Sequence, residues 1–288
     1  MPSALVLCCV ALIRDGRGYT LICIMRLSNE PHYAVNAAPG WASVIALRLR
    51  RHLALKVVGT TAFIWLFFIG YFSLLRDPAY PPVVMPLLAL DRMIPFQPAA
   101  LVAYLSLWLY VGFAPGLQLT LAELVAYGAW IGLLCISGLA LFYFFPTAIP
   151  AIPVDAGGFP GFALLQGVDA AGNACPSMHV AVAIFSAIWI DALLRESRAP
   201  AALRLLNAGW FIAIAWSTLA IKQHVVLDAL AGALLGTAFA IVSLYVRPGR
   251  SIARQARSPA TDVPLPAAPG SSAIIDASQS ELKRNAAT

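Results

Sequence analysis

The sequence predicts an all-α integral membrane protein, a six-transmembrane-helix bundle. Composition, hydrophobic run length and the placement of positive charge each point there. Of 288 residues, 60% are hydrophobic and only 11% charged, with a mean hydropathy of +0.80. A soluble domain is about half apolar and about a quarter charged, so this chain must turn most of its surface to lipid. That composition excludes an ordinary cytosolic enzyme, a disordered chain and a nucleic-acid binder.

A spanning helix needs about 20 mostly apolar residues. Six segments qualify: Val57 to Leu75, Pro98 to Phe113, Leu121 to Phe145, His179 to Leu194, Leu203 to Ile221, and Val225 to Val246. The second and fourth are short, so their ends are expected to extend into the flanking residues. Ahead of them, Ala4 to Ile13 is apolar but too short to span, carries no cleavage signal and is followed directly by Arg14. It reads as an interfacial helix, or as sequence upstream of the true start. From Pro248 the chain turns to Ala, Ser, Pro and Arg, the composition of a disordered tail. The expected organisation is residues 1–55 as a partly basic juxtamembrane region, 56–247 as the membrane domain and 248–288 as a cytoplasmic tail.

Arg48, Arg50, Arg51 and Lys56 precede the first span; Arg195, Arg198 and Arg204 lie between the fourth and fifth; Arg247, Arg250, Arg254 and Arg257 follow the sixth. With six crossings these groups share one side. The other side receives Arg76, Arg92 and Lys222. By the positive-inside rule both termini are expected in the cytoplasm, and the loops around Arg76 to Gln97, Pro146 to Met178 and Lys222 to His224 face outward. The net charge of +6 is therefore a topology signal first. The five cysteines (Cys8, Cys9, Cys23, Cys135, Cys175) are odd in number, lack metal-type spacing and read as small hydrophobes.

Polar groups at span ends are expensive and therefore informative. His179 opens the fourth span and His224 the sixth. Both spans run inward from the outer face, so both imidazoles are expected at one membrane surface. His32 and His52 read as exposed or juxtamembrane residues. In His224-Val225-Val226-Leu227-Asp228 the histidine and aspartate are four apart, on one helical face. There the carboxylate can fix the ring's tautomer and leave the other nitrogen as nucleophile or base, or the two can form a simple capping pair. His179 closes Cys175-Pro176-Ser177-Met178-His179, a helix start with Ser177 as cap, whose N–H groups and dipole suit an anion. Asp191 and Glu123 read as interfacial or interhelical polar residues, and Asp91 and Tyr104 as a loop turn and an interfacial aromatic.

Pro176-Ser177-Met178-His179, with His224 and Asp228 downstream, resembles the type 2 phosphatidic acid phosphatase superfamily of membrane lipid phosphatases and phosphotransferases. Ser217-Thr218, five residues, His224, three residues and Asp228 keep the spacing of that family's third motif, with Thr218 where arginine is usual. Met178 replaces a glycine in the second motif. Phe142 to Pro153 lacks the lysine and arginine of the first. The stretch Asp91 to Ser106, with Phe145-Pro146-Thr147 and Ser217 through His224, is similar to the branch of inositolphosphorylceramide synthases and their bacterial relatives.

The resemblance implies a phosphoryl-transfer site at the outer membrane surface. It gives His224 the role of nucleophile forming a phosphohistidine, Asp228 that of orienting it, and His179 that of proton donor and then base. It gives phosphate binding to Ser177, to Lys222 as the best replacement for the missing cations, and to Arg92 as the next. No metal and no cofactor are implied. The expected partners are a phosphorylated membrane lipid, the bilayer and an alcohol acceptor where water is not used, with no nucleic acid. The expected location is a bacterial inner membrane. Two alternatives stand beside this: a proton-coupled transporter using the same residues as a relay, and a family member that binds lipid phosphate without turning it over.

Overall fold

The computed structural model describes residues 10–15, 18–23, 40–150 and 172–247. Two units divide the chain, residues 1–40 and 41–288. In the first, β1 (Val10–Asp15) pairs antiparallel with β2 (Gly18–Cys23), Val10 opposite Cys23. The end of the apolar run at residues 4–13 is thus a strand and not an interfacial helix. Four apolar residues, Val10-Ala11-Leu12-Ile13, two of them β-branched, precede the Asp15-Gly16-Arg17-Gly18 turn signal, which favours a hairpin. The rest of that run, His32, Cys8 and Cys9 lie outside the described residues, as does the tail from Pro248.

The second unit is the membrane bundle. Its described helices are α1 (Trp41–Arg50), α2 (Leu53–Arg76), α3 (Ala89–Met93), α4 (Leu101–Leu105), α5 (Leu107–Gly116), α6 (Leu121–Phe144), α7 (Met178–Glu196), α8 (Ala201–Ala220) and α9 (Val226–Tyr245). Among the described residues, six segments are long and apolar enough to cross a membrane, and each overlaps one of the six expected: α2, Pro98–Gly116, α6, α7, α8 and α9. The short second candidate gains its length from a 3-10 turn at Pro98–Ala100 and the α4–α5 pair, which meets at Ser106. Two short strands, β3 (Val83–Val84) and β4 (Thr147–Ala148), pair in parallel between the loops after α2 and α6.

Helix α7 is the axis of the bundle. Ala181, Ala183, Phe185 and Trp189 on it are fully buried, whereas Trp65 and Leu66 on α2 are exposed, as lipid-facing residues should be. Between transmembrane helices there is no hydrophobic gain over lipid, so close packing and hydrogen bonds must hold the bundle. Both are present. Gly232 and Gly236, spaced small-x-x-x-small on α9, lie so close to α7 that an added Cβ would stand 2.2 Å from the Ser177 carbonyl and 2.2 Å from that of Ala181. Trp189 Nε1 donates to Ser243 Oγ at 2.8 Å, linking α7 to α9. Tyr110 donates to Asn207 (2.8 Å), which donates to the Ala187 carbonyl (3.0 Å), linking α5, α8 and α7.

Charge gathers at the bundle end that holds the start of α2 and the end of α9. Arg247 bridges Glu196 at 2.6 Å and Glu123 at 3.1 Å, and Arg48 lies 3.5 Å from Glu196. Asp191 accepts from Arg195 and from Arg204, each at 2.7 Å, and so joins α7 to α8. Lys56, counted above as a juxtamembrane charge, is instead buried. Its Nζ donates to the carbonyls of Arg48 (2.6 Å) and Gly116 (2.7 Å).

Candidate active site

The opposite end of the bundle carries His179 and His224. Helix α7 begins at Met178, with Ser177 as its N-cap: Ser177 Oγ accepts from Val180 N at 3.3 Å. Helix α9 begins at Val226, two residues before Asp228. The glycine contacts set α9 against α7, and Ser177 N donates to the Asp228 carbonyl at 2.9 Å, which fixes the two starts at one level.

The four-residue spacing from His224 to Asp228 closes as expected. His224 Nδ1 lies 3.0 Å from Asp228 Oδ2, and Asp228 is fully buried. A carboxylate accepts, so Nδ1 carries the hydrogen and Nε2 presents the lone pair. Asp228 Oδ1 is buried with no hydrogen-bond partner among the described residues.

His179 is held by two contacts from α4. Its ring stacks on that of Tyr104, with centroids 3.9 Å apart and an interplanar angle of 11°. Its Nε2 lies 3.2 Å from the Tyr104 carbonyl oxygen. A carbonyl can only accept, so Nε2 is the protonated nitrogen and Nδ1 is the one able to exchange a proton. Trp108 meets the same ring edge-on at 6.1 Å. His179 and His224 both line one groove of about 810 Å³, together with Tyr104, Trp108 and Asn173.

The expected phosphate-binding residues are placed differently. Ser177 is fully buried, and its hydroxyl oxygen caps α7. Lys222 Nζ donates to the carbonyls of Asp91 (3.0 Å) and Ile94, which pins the loop around α3 to the turn before His224. Burial holds the Lys222 ammonium below its ordinary pKa, an effect the Asp91 charge partly offsets. Arg92 is exposed on α3. Of the six expected site residues, His179, His224 and Asp228 are therefore brought together. Ser177, Lys222 and Arg92 are not among the groove-lining residues. Among the described residues, no group of three or more His, Cys, Asp or Glu side chains is arranged to hold a metal ion.

Two residues do more than their sequence reading suggested. Asp91 is buried; its Oδ1 accepts from Val226 N and its Oδ2 from Leu88 N, each at 2.8 Å. It caps α9 from a distance, because Val225 at the cap position has no side chain that could accept. Tyr104 is the ring under His179. The available signal was the recurrence of both residues in the Asp91 to Ser106 stretch, but a contact across more than 70 residues has no local pattern. Met178, where the second motif has glycine, packs against Gly138 of α6. A Cβ there would stand 2.1 Å from Met178 Sδ, so the side chain added to α7 is accommodated by the one absent from α6.

Residues 143–252 match the family model of the PAP2 superfamily. The matched segment starts at the last residues of α6 and takes in β4, α7, α8 and α9, hence His179, His224 and Asp228. Helices α2 to α5, with Asp91, Arg92 and Tyr104, lie before it. The match is to the superfamily as a whole and distinguishes no branch. Searches of curated proteins and of solved structures returned no significant match. The matched segment thus contains both histidines, and the helices ahead of it supply the Tyr104 ring stacked on His179 and the Asp91 carboxylate that caps α9.

Proposed function

We propose that the protein is a metal-independent phosphatase or phosphotransferase of membrane lipids that works through a phosphohistidine. The observation that carries this reading is the opening of His224, backed by Asp228, and His179 onto one groove within a PAP2 segment. PAP2 proteins are generally metal-independent phosphatases acting on phosphorylated lipids.

His224 Nε2 attacks phosphorus, and the bond from phosphorus to the leaving oxygen breaks. That oxygen takes the proton from Nδ1 of His179, which enters this step as the imidazolium with its Nε2–H still on the Tyr104 carbonyl oxygen. Asp228 stabilises the positive ring of the phosphohistidine. An incoming hydroxyl then attacks phosphorus and gives its proton to His179 Nδ1. The nitrogen–phosphorus bond breaks, and His224 is restored. Water as acceptor gives hydrolysis. A lipid or polyol alcohol gives transfer, which the likeness to the inositolphosphorylceramide synthase branch favours. Phosphoryl transfer depends mostly on positioning and on dispersing charge. The first turn of α7, with its positive dipole end, supplies part of that charge. Lys222 is retained as the nearest cation in sequence; a rotation that frees one of its N–H groups from the Asp91 or Ile94 carbonyl would turn it to phosphate. Arg92 is next. The arginine-rich end is assigned to the cytoplasm of a bacterial inner membrane with both termini there, and the histidine end faces outward.

Incubation with a lipid phosphate labelled in the phosphoryl group should give an acid-labile, base-stable phosphoenzyme. His224→Ala should abolish the label, and His179→Ala should block turnover. Label on the His224→Ala protein would refute the assignment. Formation of a new lipid ester rather than free phosphate identifies the transferase.

A further inference from the structure

The groove does not end beneath the histidines. Its lining continues along α2, α5, α6 and α7 to Lys56 and Leu121 at the opposite end of the bundle. Lys56 and Phe72 of α2 both line it, and sixteen residues at about 1.5 Å each span about 24 Å. One leaflet of hydrocarbon is about 15 Å deep, half of the roughly 30 Å core. The groove therefore reaches past the bilayer midplane.

Below the histidines its wall is aliphatic and aromatic apart from Thr60 and Cys135, and toward its far end lies Lys56, whose ammonium is committed to the Arg48 and Gly116 carbonyls. Two lining positions are glycines, Gly59 on α2 and Gly128 on α6. At neither would an added Cβ meet any atom within 4 Å. Packing does not require glycine there, and glycine disfavours a helix interior. Both positions border the groove, and a side chain at either would enter open space.

We propose that this groove holds one hydrocarbon chain of the phosphorylated lipid, and that Gly59 and Gly128 set the chain length it admits, with Lys56 as the end stop. The proposal rests on the lipid-phosphate reading of the histidine end. A chain leaving the bilayer for the groove gains no hydrophobic energy, because both surroundings are apolar. The groove therefore selects by fit: a chain that meets an obstruction lifts its phosphate away from His224. Displacement of a reacting group by about 1 Å costs up to about 10²-fold in rate.

Gly59 lies three residues beyond Lys56, about 4.5 Å further along α2; Gly128 lies seven residues into α6, about 10 Å from its start. Leucine at these positions should shorten the admitted chain in that order. Donors with identical headgroups and chains of eight, twelve, sixteen and twenty carbons provide the test. Gly128→Leu should lower kcat/KM for the longest chains by about tenfold or more and leave the eight-carbon donor unchanged, and Gly59→Leu should affect only the longest. Gly209→Leu, on α8 and outside the groove, serves as the control. Equal losses for all chains in correctly folded protein, or no loss for any, would overturn the proposal. A donor with a photoreactive group at the chain terminus gives an independent readout, in wild type and in His224→Ala. Crosslinks to α2 or α6 near Lys56 and Gly59 are expected; crosslinks confined to the outer faces of α8 and α9 would overturn it. Groove crosslinks with no turnover of any donor would sink the phosphoryl-transfer reading and leave the groove standing.

Discussion

The contact of α9 with α7 at Gly232 can be tested with a single methyl group. In Gly232→Ala the new Cβ would lie 2.2 Å from the Ser177 carbonyl oxygen, where real Cβ contacts essentially never fall below 3.0 Å. The helices must part by about 0.8 Å, since the obstructing atom is backbone and cannot rotate away. That carbonyl accepts the first hydrogen bond of α7, from Ala181 N at 2.9 Å, so the displacement acts on the turn that carries His179. Overpacking of this kind costs about 1–3 kcal/mol. A shift approaching 1 Å between His179 and His224 should also lower kcat by about 10- to 100-fold. Turnover of a lipid phosphate in detergent, with thermal unfolding alongside, measures both. Gly209→Ala is the matched control, since its Cβ enters open space and should leave both readings unchanged or raise the melting temperature. Wild-type kcat and Tm in Gly232→Ala would refute the claim that this glycine sets the spacing of the two histidines.

Asp228→Asn preserves shape but removes the charge and lets the amide favour the wrong tautomer of His224; kcat should fall about 10³- to 10⁴-fold with little change in Tm. Asp91→Ala leaves the N–H groups of Val226 and Leu88 without their acceptor, and should destabilise the bundle by about 1–3 kcal/mol, read as a fall in Tm. Lys222→Met separates two roles: loss of the loop tether lowers Tm, while loss of a phosphate contact raises KM at unchanged Tm. Burial, and secondarily the charge of Asp228, push the Cys175 thiol above its ordinary pKa. The raised value means less thiolate at a given pH, so in a background with the other cysteines replaced by serine, alkylation should lag a free thiol at pH 8 and accelerate toward alkaline pH. Asp228→Asn should move that profile to lower pH, which mass spectrometry of the labelled peptide can follow.

Residue order alone determined the six spans, because the bilayer imposes one length and one polarity on every crossing, and a run such as Leu121 to Phe145 meets both whatever its neighbours are. The pairing of His224 with Asp228 was equally local, four residues being one helical turn. The strand at Val10–Asp15 was misread because a ten-residue apolar run fits a strand, an interfacial helix or a leader alike. The partners of His179 were decided only in three dimensions. Tyr104 lies 75 residues away, and its stacking depends on how α4 meets α7. The tie from Asp91 to Val226 spans 135 residues. Lys222 shows the same division: its charge and place in the chain suggested a phosphate ligand, and only the packed structure showed its ammonium held by two carbonyls. The physical reason is range. Solvent preference and helical period act over a few residues and can be read along the chain, whereas a hydrogen bond or a ring contact acts over a few ångströms and exists only once the helices have packed.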